Sequence, residues 1–440
     1  MNKSKRLLVI IPFLALLFGC KKKQVTDNTK IINKTTNNKT VITTKKSGNI
    51  TNNITTKSNV TTKKKNTSGK CHYAFVDYDG TVLLENDVTT GTTISEGIIP
   101  KPNRSNEGEY FYYFTGWDKE VNRKITDDVT YTAQYEKLLI PYEKNETYVY
   151  FGYYPQKQEI DSTTISTLNS TAKLPSTNTN WVCYNYYDDN NNTGEYMWYI
   201  DIDTNNDSRY DYRGIYFTEF RPYKTSLQAS ESNSYVDNNG FYEKEVIYWF
   251  KYEKIEWRYI NDSANGKMYL LADFVLDSQE FYPDHNNIPF KHNGAEGYVN
   301  EYRLSEIRKW LNNEFYNTAF NETEQKIIMQ SDLSTRKHSQ SGSYSSSSKD
   351  YIYLLADNEV DKWFSNEVSR ITSSTDYAKA QGVTNSSNKT IWGLRTPSSA
   401  NASYSSTAIS IQYIDENGNI VDVTTDNSSV GIRPCLVVKA

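Results

Sequence analysis

Between Lys21 and Lys70 the chain is almost entirely Lys, Asn, Thr and Ser, with isolated Ile and Val at no regular period. Such a stretch cannot bury enough apolar surface to offset the entropy of ordering it, so it reads as a disordered tether over residues 21–70. A flexible coil of that length has an end-to-end distance of roughly 40 Å and reaches at most about 170 Å when stretched. Lys3, Lys5 and Arg6 come before it, then an apolar run over residues 7–18, then Gly19 and Cys20. A helix needs about 20 apolar residues to cross ~30 Å of hydrocarbon, and this run is shorter. Its basic start and small-residue end are those of a secretory signal over residues 1–20.

Leu17-Phe18-Gly19-Cys20 resembles the bacterial lipobox, in which the cysteine thiol takes a diacylglyceryl group and becomes the new N-terminus. The resemblance implies lipidation at Cys20 and an outward-facing protein anchored on the bacterial cell membrane. Each buried methylene contributes about 0.8 kcal/mol, so two or three chains hold a protein on a bilayer where one would not.

Charge divides along the same line. The tether holds 13 lysines and one aspartate, and the signal adds three positive charges. With a net of −4 for the whole chain, residues 71–440 therefore carry −19. A basic stalk precedes an acidic head, and the head lacks the clustered Lys and Arg face that nucleic acid demands. The 37 tyrosines, 16 phenylalanines and 8 tryptophans supply large side chains for β-rich cores.

The first folded stretch begins near Cys71. Tyr73 to Tyr78 and Thr81 to Leu84 flank Asp79-Gly80, a pair that tolerates the positive φ of a two-residue hairpin turn. Phe75-Val76-Asp77-Tyr78-Asp79-Gly80-Thr81-Val82, Pro100-Lys101-Pro102, Phe114-Thr115-Gly116-Trp117-Asp118 and Thr130-Tyr131-Thr132-Ala133-Gln134-Tyr135 follow in order. Together they resemble the internalin-type B-repeat, also called the Listeria/Bacteroides repeat, over residues 71–138. That resemblance implies a small β-grasp-like module serving as a spacer or adhesion unit.

Residues 145–440 read as one larger α+β domain. Asn205-Asn206-Asp207 marks a hairpin between strands at 197–202 and 210–217, and the aromatic stretch 247–260 pairs with 268–271. Helices are expected after Ser305 and from Asn321 with Glu324, after Asn358, and from Thr375 to Gly382. Residues 339–348 read as a serine-rich loop. Leu276-Asp277-Ser278-Gln279, Ser305-Glu306-Ile307-Arg308-Lys309-Trp310-Leu311, Trp392-Gly393-Leu394-Arg395-Thr396-Pro397-Ser398 and Gly431-Ile432-Arg433-Pro434 resemble an uncharacterised bacterial domain of unknown function. The closing motifs are similar to those of the C-type-lectin-like superfold shared with formylglycine-generating enzymes. In that fold the two ends of the domain meet as paired strands, which would bring residues 148–151 to 436–439.

Candidate chemistry is sparse. Arg395 and Arg433 beside apolar strand residues could fork onto an anionic ligand, or fix loops to the sheet from within the core. Asp201, Asp203, Asn205 and Asp207 have the odd-position spacing of a calcium loop. However, Asn206 stands where glycine is expected and Tyr212 where a bidentate glutamate would close the shell, so a plain hairpin is the competing reading. Trp181 and Tyr187, with Tyr184 and Tyr186, could stack on sugar rings beside the polar loop 188–194. Once Cys20 carries lipid, three cysteines remain; Cys183 and Cys435, both in strand-like segments, are the expected disulfide. No HExxH, Walker loop, nucleophile elbow or CxxC is present. Cys435 lacks the paired partner that formylglycine-generating enzymes use.

These readings converge on a non-catalytic, lipid-anchored surface protein for binding or adhesion. Its polar loops 188–194, 339–348 and 398–406 would meet a carbohydrate or protein ligand, with no cofactor. An extracellular enzyme acting on surface glycan or protein, and a calcium-dependent lectin-like module, are the alternatives.

Overall fold

The computed structural model describes residues 69–183, 197–218, 236–237, 240–243, 245–261, 266–282, 290–292, 295–297, 299–336, 344–383, 385–398, 410–427 and 429–440. Cys20, the tether up to residue 68, Tyr184, Tyr186, Tyr187 and the loop 188–194 lie outside them, as does the loop 398–406 apart from Ser398.

Four strands form the first sheet, in the order Val82–Thr89, Lys70–Val76, Val129–Leu139, Tyr110–Trp117. Lys70–Val76 and Val82–Thr89 make the hairpin that Asp79-Gly80 announces, whereas Lys70–Val76 runs parallel to Val129–Leu139. Alternation puts Cys71, Tyr73 and Phe75 on one buried face, where Phe75 packs 4.7 Å from Trp117 and 4.8 Å from Tyr131.

The larger, ten-stranded sheet is built around Ile247–Asn261. This strand bonds to Tyr212–Phe217, Tyr148–Gln158 and Lys267–Ala272. Phe250 and Tyr252 are buried at even positions, Ile255 and Trp257 at odd ones. The phase changes over Lys254 to Glu256, where the ladder to Tyr148–Gln158 shifts register; there and at Lys251/Tyr252 the extra residue is on Tyr148–Gln158. Trp249 points to the other face, beneath the helix Ser162–Ala172 with Leu168, Ala172 and Trp181. Gly214 makes room for it: a Cβ there would come within 2.7 Å of the Trp249 ring.

Strand accounts for 44% of the structure against 18% helix, so the class is mostly β and the α+β expectation is overturned. The expected helices exist; Glu306–Trp310 runs on through a wider turn at Leu311–Phe315 to Tyr316–Ala319, whereas Glu322–Ile327, Asp357–Trp363 and Asp376–Ala380 are one or two turns long. Ser305, Asn321 and Thr375 cap three of them as the sequence predicts. The helix from Glu322 stops at Ile327 because Ile328–Met329 leaves to pair with Val438 and Val437. Asn358 is not a cap; Ala356 stands there, and Glu359 reaches back to the Ala356 N–H at 2.9 Å. Half of the expected serine-rich loop is strand, Tyr344–Asp350, because Ser331–Arg336 offers it an antiparallel ladder.

Two further expectations fail on topology. Tyr148–Gln158 and Cys435–Lys439 share the large sheet but do not pair, because Ile247–Asn261 and Lys267–Ala272 stand between them. The strand registers trace Cys183 through Trp198 and Tyr216 to Ile247, and Cys435 through Leu271 to Arg258, toward opposite ends of the central strand. Eleven residues at about 3.3 Å each is roughly 36 Å, far beyond the ~5.5 Å Cα separation a disulfide spans. They do not bond to each other.

The small sheet is seated on the large one. Phe111 is fully buried in the main core, Lys326 pairs with Glu136 at 2.8 Å, and Lys439 Nζ donates to the Tyr112 carbonyl at 2.9 Å. Burial, with Arg104 nearby, pushes the Lys439 ammonium down to about 8. A lysine depressed in this way binds fewer protons folded than unfolded between its two pKa values. Its charge is therefore a cost below pH 8 that is relieved as pH rises toward 10.5. Lys439→Met is expected to raise Tm at pH 7, with the advantage shrinking between pH 8 and 10; scanning calorimetry across that range checks it, and a flat difference refutes it.

Candidate functional site

The sequence motifs of the C-terminal half come together in one five-stranded sheet. Its order is Asp277–Ser278, Gly431–Ile432, Trp392–Pro397, Ser410–Ile414, Ile420–Thr424. Trp392 meets Gly431 in parallel register, and Gly431 meets Ser278 in antiparallel register. No side chain fits at Gly431, where a Cβ would come within 2.5 Å of Val275 and 2.6 Å of the Ile391 carbonyl. Asp277, fully buried, receives the Tyr154 hydroxyl at 2.6 Å and the Gln279 amide at 3.1 Å, tying this sheet to the strand Tyr148–Gln158.

Both candidate arginines are inside this framework. Arg395 is 2% exposed, and its guanidinium takes both oxygens of Glu359 at 2.5 and 2.9 Å, the Leu354 carbonyl at 2.7 Å and Thr335 Oγ1 at 3.2 Å. Burial works against its charge, but the Glu359 fork outweighs it and leaves the pKa raised. Arg433 is 0% exposed, donates to the Ala272 carbonyl at 2.8 Å and the Arg370 carbonyl at 3.4 Å, and lies 5.0 Å from the Trp392 ring centre. Its nearest carboxylate, Asp273, is 3.9 Å away and is already held by Arg258 at 2.6 Å. Burial, then Arg258, push the Arg433 guanidinium down to about 9. Between this sheet and the layer at Ile307 and Leu354 the residual cavity is about 10 Å³, room for no more than one water. Buried among the described residues, both arginines lock strands and loops from within.

The other candidates are likewise occupied. Trp181 is buried, donating through Nε1 to the Lys173 carbonyl at 3.1 Å. Asp201 is drawn away from its hairpin loop by Arg213, which grips both carboxylate oxygens at 2.7 Å, and it also receives the Tyr252 hydroxyl at 2.8 Å. Asp203 accepts from the Asn206 and Ser208 amides, Asn205 from the Asp207 amide, and Asp207 from the Arg209 amide. These are the side-chain turns that shape a hairpin, not a convergent shell. Among the described residues no group of three or more His, Cys, Asp or Glu is placed to hold a metal ion. His72 sits on the surface of the small sheet, its Nδ1 2.9 Å from Asp87.

A cleft missed in the sequence lies instead where the hairpin of Ser331–Arg336 and Tyr344–Asp350 folds over the turn Tyr302–Leu304 and the helix Glu306–Trp310. It encloses about 460 Å³ and is lined by Arg303, Arg308, Asp332, Ser347, Ser348 and Lys349. That volume falls within the range of small-ligand sites, about 300–1,000 Å³. Behind the arginines stand Glu301, 2.8 Å from Arg303, and Asp350, 2.7 Å from Arg308. The Glu301 and Asp350 side chains are 4% and 1% exposed and the Arg303 and Arg308 side chains 30% and 28%, so the arginines lie on the solvent side of their carboxylates. Burial raises the Asp350 pKa against the opposing pull of Ser348 and Arg308. Arg308 belongs to the quoted Ser305 to Leu311 motif; Arg303, Asp332 and Lys349 carried no spacing signal.

Residues 265–440 match a family model described as a domain of unknown function, DUF6273. The stretch takes in the five-stranded sheet, both buried arginines and every residue lining the cleft. No curated protein and no solved structure matches the chain.

Arg395 and Arg433 should respond differently to removal of their charge. Arg395→Met leaves Glu359 without its fork and is expected to cost about 3–5 kcal/mol, as breaking a buried pair does. Arg433→Met removes a charge with weak compensation and keeps the apolar stem against Trp392, so it should cost distinctly less. Urea unfolding of the two variants checks the order; equal losses would refute it.

Proposed function

We propose that this is a lipid-anchored bacterial cell-surface protein that binds a ligand in the cleft between Arg303 and Lys349. The observation that carries the binding reading is the cleft's lining. Guanidinium, ammonium and hydroxyl groups are backed by buried carboxylates, an arrangement suited to gripping the oxygens of a polar ligand reversibly. Ser348 Oγ donates to Asp350 at 2.6 Å and is held in place by it. Anchoring is supported by the basic start, the short apolar run and Gly19-Cys20, followed by a tether long enough to lift the head from the bilayer. Residues 71–138 would act as a B-repeat-type spacer between tether and head. Among the described residues no helix is long and apolar enough to cross a membrane, so on this reading attachment falls to the acylated cysteine.

Two measurements test the reading. Labelled palmitate is expected to enter the expressed chain at Cys20, and Cys20→Ala to abolish the label and move the protein out of the membrane fraction. A glycan array followed by turnover assays on the bound glycans should give saturable binding without product. Failure to label removes the anchor, and product formation replaces binding with catalysis.

A further inference from the structure

The cleft's charge stands against that of the rest of the head. Residues 71–440 carry a net −19, whereas here Arg303, Arg308 and Lys349 are balanced by Asp332 and the two backing carboxylates Glu301 and Asp350, so the cleft is a locally neutral spot on an acidic head with its cations turned outward. Their hydrogen-bonding capacity is only partly used. A guanidinium carries five N–H donors. Among the described residues Arg308 uses three, to Asp350 Oδ1, the Arg303 carbonyl and the Lys349 carbonyl. The Arg303 guanidinium is held from behind by its ion pair with Glu301. Among the described residues the Lys349 ammonium pairs with Asp332 at 3.1 Å, with the two side chains 70% and 81% exposed. Such a surface pair contributes little and is readily exchanged for a better anion.

We infer that this cleft takes a sugar bearing a single carboxylate, with that carboxylate forked by Arg303 and neutralised by Lys349. A planar carboxylate matches the guanidinium fork, which a lone lysine cannot do. Ser347 Oγ and the carboxylate of Asp332, released from Lys349, then face the sugar hydroxyls as donor and acceptor. The anion must be compact. A long polyanion would meet the repulsion of the surrounding acidic surface, whereas one charge within about a Debye length of the cleft feels chiefly the local cations. This inference rests on the binding reading and narrows it to a ligand class.

The test uses the full-length chain in detergent, titrated calorimetrically with galacturonate, galactose and acetate, alongside the same array sorted into carboxylate-bearing and neutral glycans. Galacturonate is expected to bind saturably and more weakly as salt rises, while galactose and acetate bind at least tenfold less tightly. Arg303→Met should weaken galacturonate tenfold or more. Because that change leaves buried Glu301 without its ion pair, Lys349→Met, at an exposed position, is the companion variant, expected to weaken binding at least threefold with Tm unchanged. Galactose binding as tightly as galacturonate, unaltered affinity in both variants, or no galacturonate isotherm would each overturn the inference. An array positive only for neutral glycans overturns it too, while leaving the binding reading standing.

Discussion

Fifteen residues, Ile247–Asn261, hydrogen-bond to three other strands, and the placement of everything else follows from that demand. A strand with neighbours along both edges and apolar cover on both faces cannot keep a single inside-outside alternation over this length. The chain changes phase where the ladder to Tyr148–Gln158 shifts register at Lys254 to Glu256, so that Phe250 and Tyr252 are buried from one phase and Ile255 and Trp257 from the other. Trp249 goes to the opposite layer, which is why the helix Ser162–Ala172 lies where it does. The central strand also fixes which ends of the chain can meet: Tyr148–Gln158 takes one side of it and Lys267–Ala272 the other, so Cys435–Lys439 joins only through the latter.

Much of the local structure was readable because it is local. Asp79-Gly80 and Asn205-Asn206-Asp207 set their hairpins through backbone conformations that few residues tolerate, and Ser305, Asn321 and Thr375 cap helices by contacts spanning three residues. What escaped depends on partners far along the chain. Residues 339–348 read as loop because they are serine-rich, yet Tyr344–Asp350 becomes a strand once Ser331–Arg336 supplies the ladder. The helix Ser162–Ala172 is made of residues with modest helical preference and is held by Asp161 at its start and by Trp249 beneath it. Four real helices, three of them short, led to an α+β expectation, since a cap signals where a helix begins and says nothing of how soon a sheet will claim the next residue.

The candidate site divides in the same way. Arg395 and Arg433 stood out in sequence because an arginine among apolar strand residues is unusual, and the structure explains them by burial instead of by ligand contact. The cleft escaped notice because Arg303, Asp332 and Lys349 are ordinary surface residues one by one. They become a site only when a hairpin folds across a turn and two buried carboxylates point the arginines outward.

The three described cysteines invite one more deduction. Only a thiolate attacks or oxidises readily. Cys435 lies fully buried, with its thiol pushed far above the ordinary range by burial, and Cys71 is walled into the small core beside Thr90. Both are closed off from reagents in solution and act as small fillers of their cores. Cys183, by contrast, is half-buried on the far edge strand, so among the three it is the one whose side chain solvent reaches.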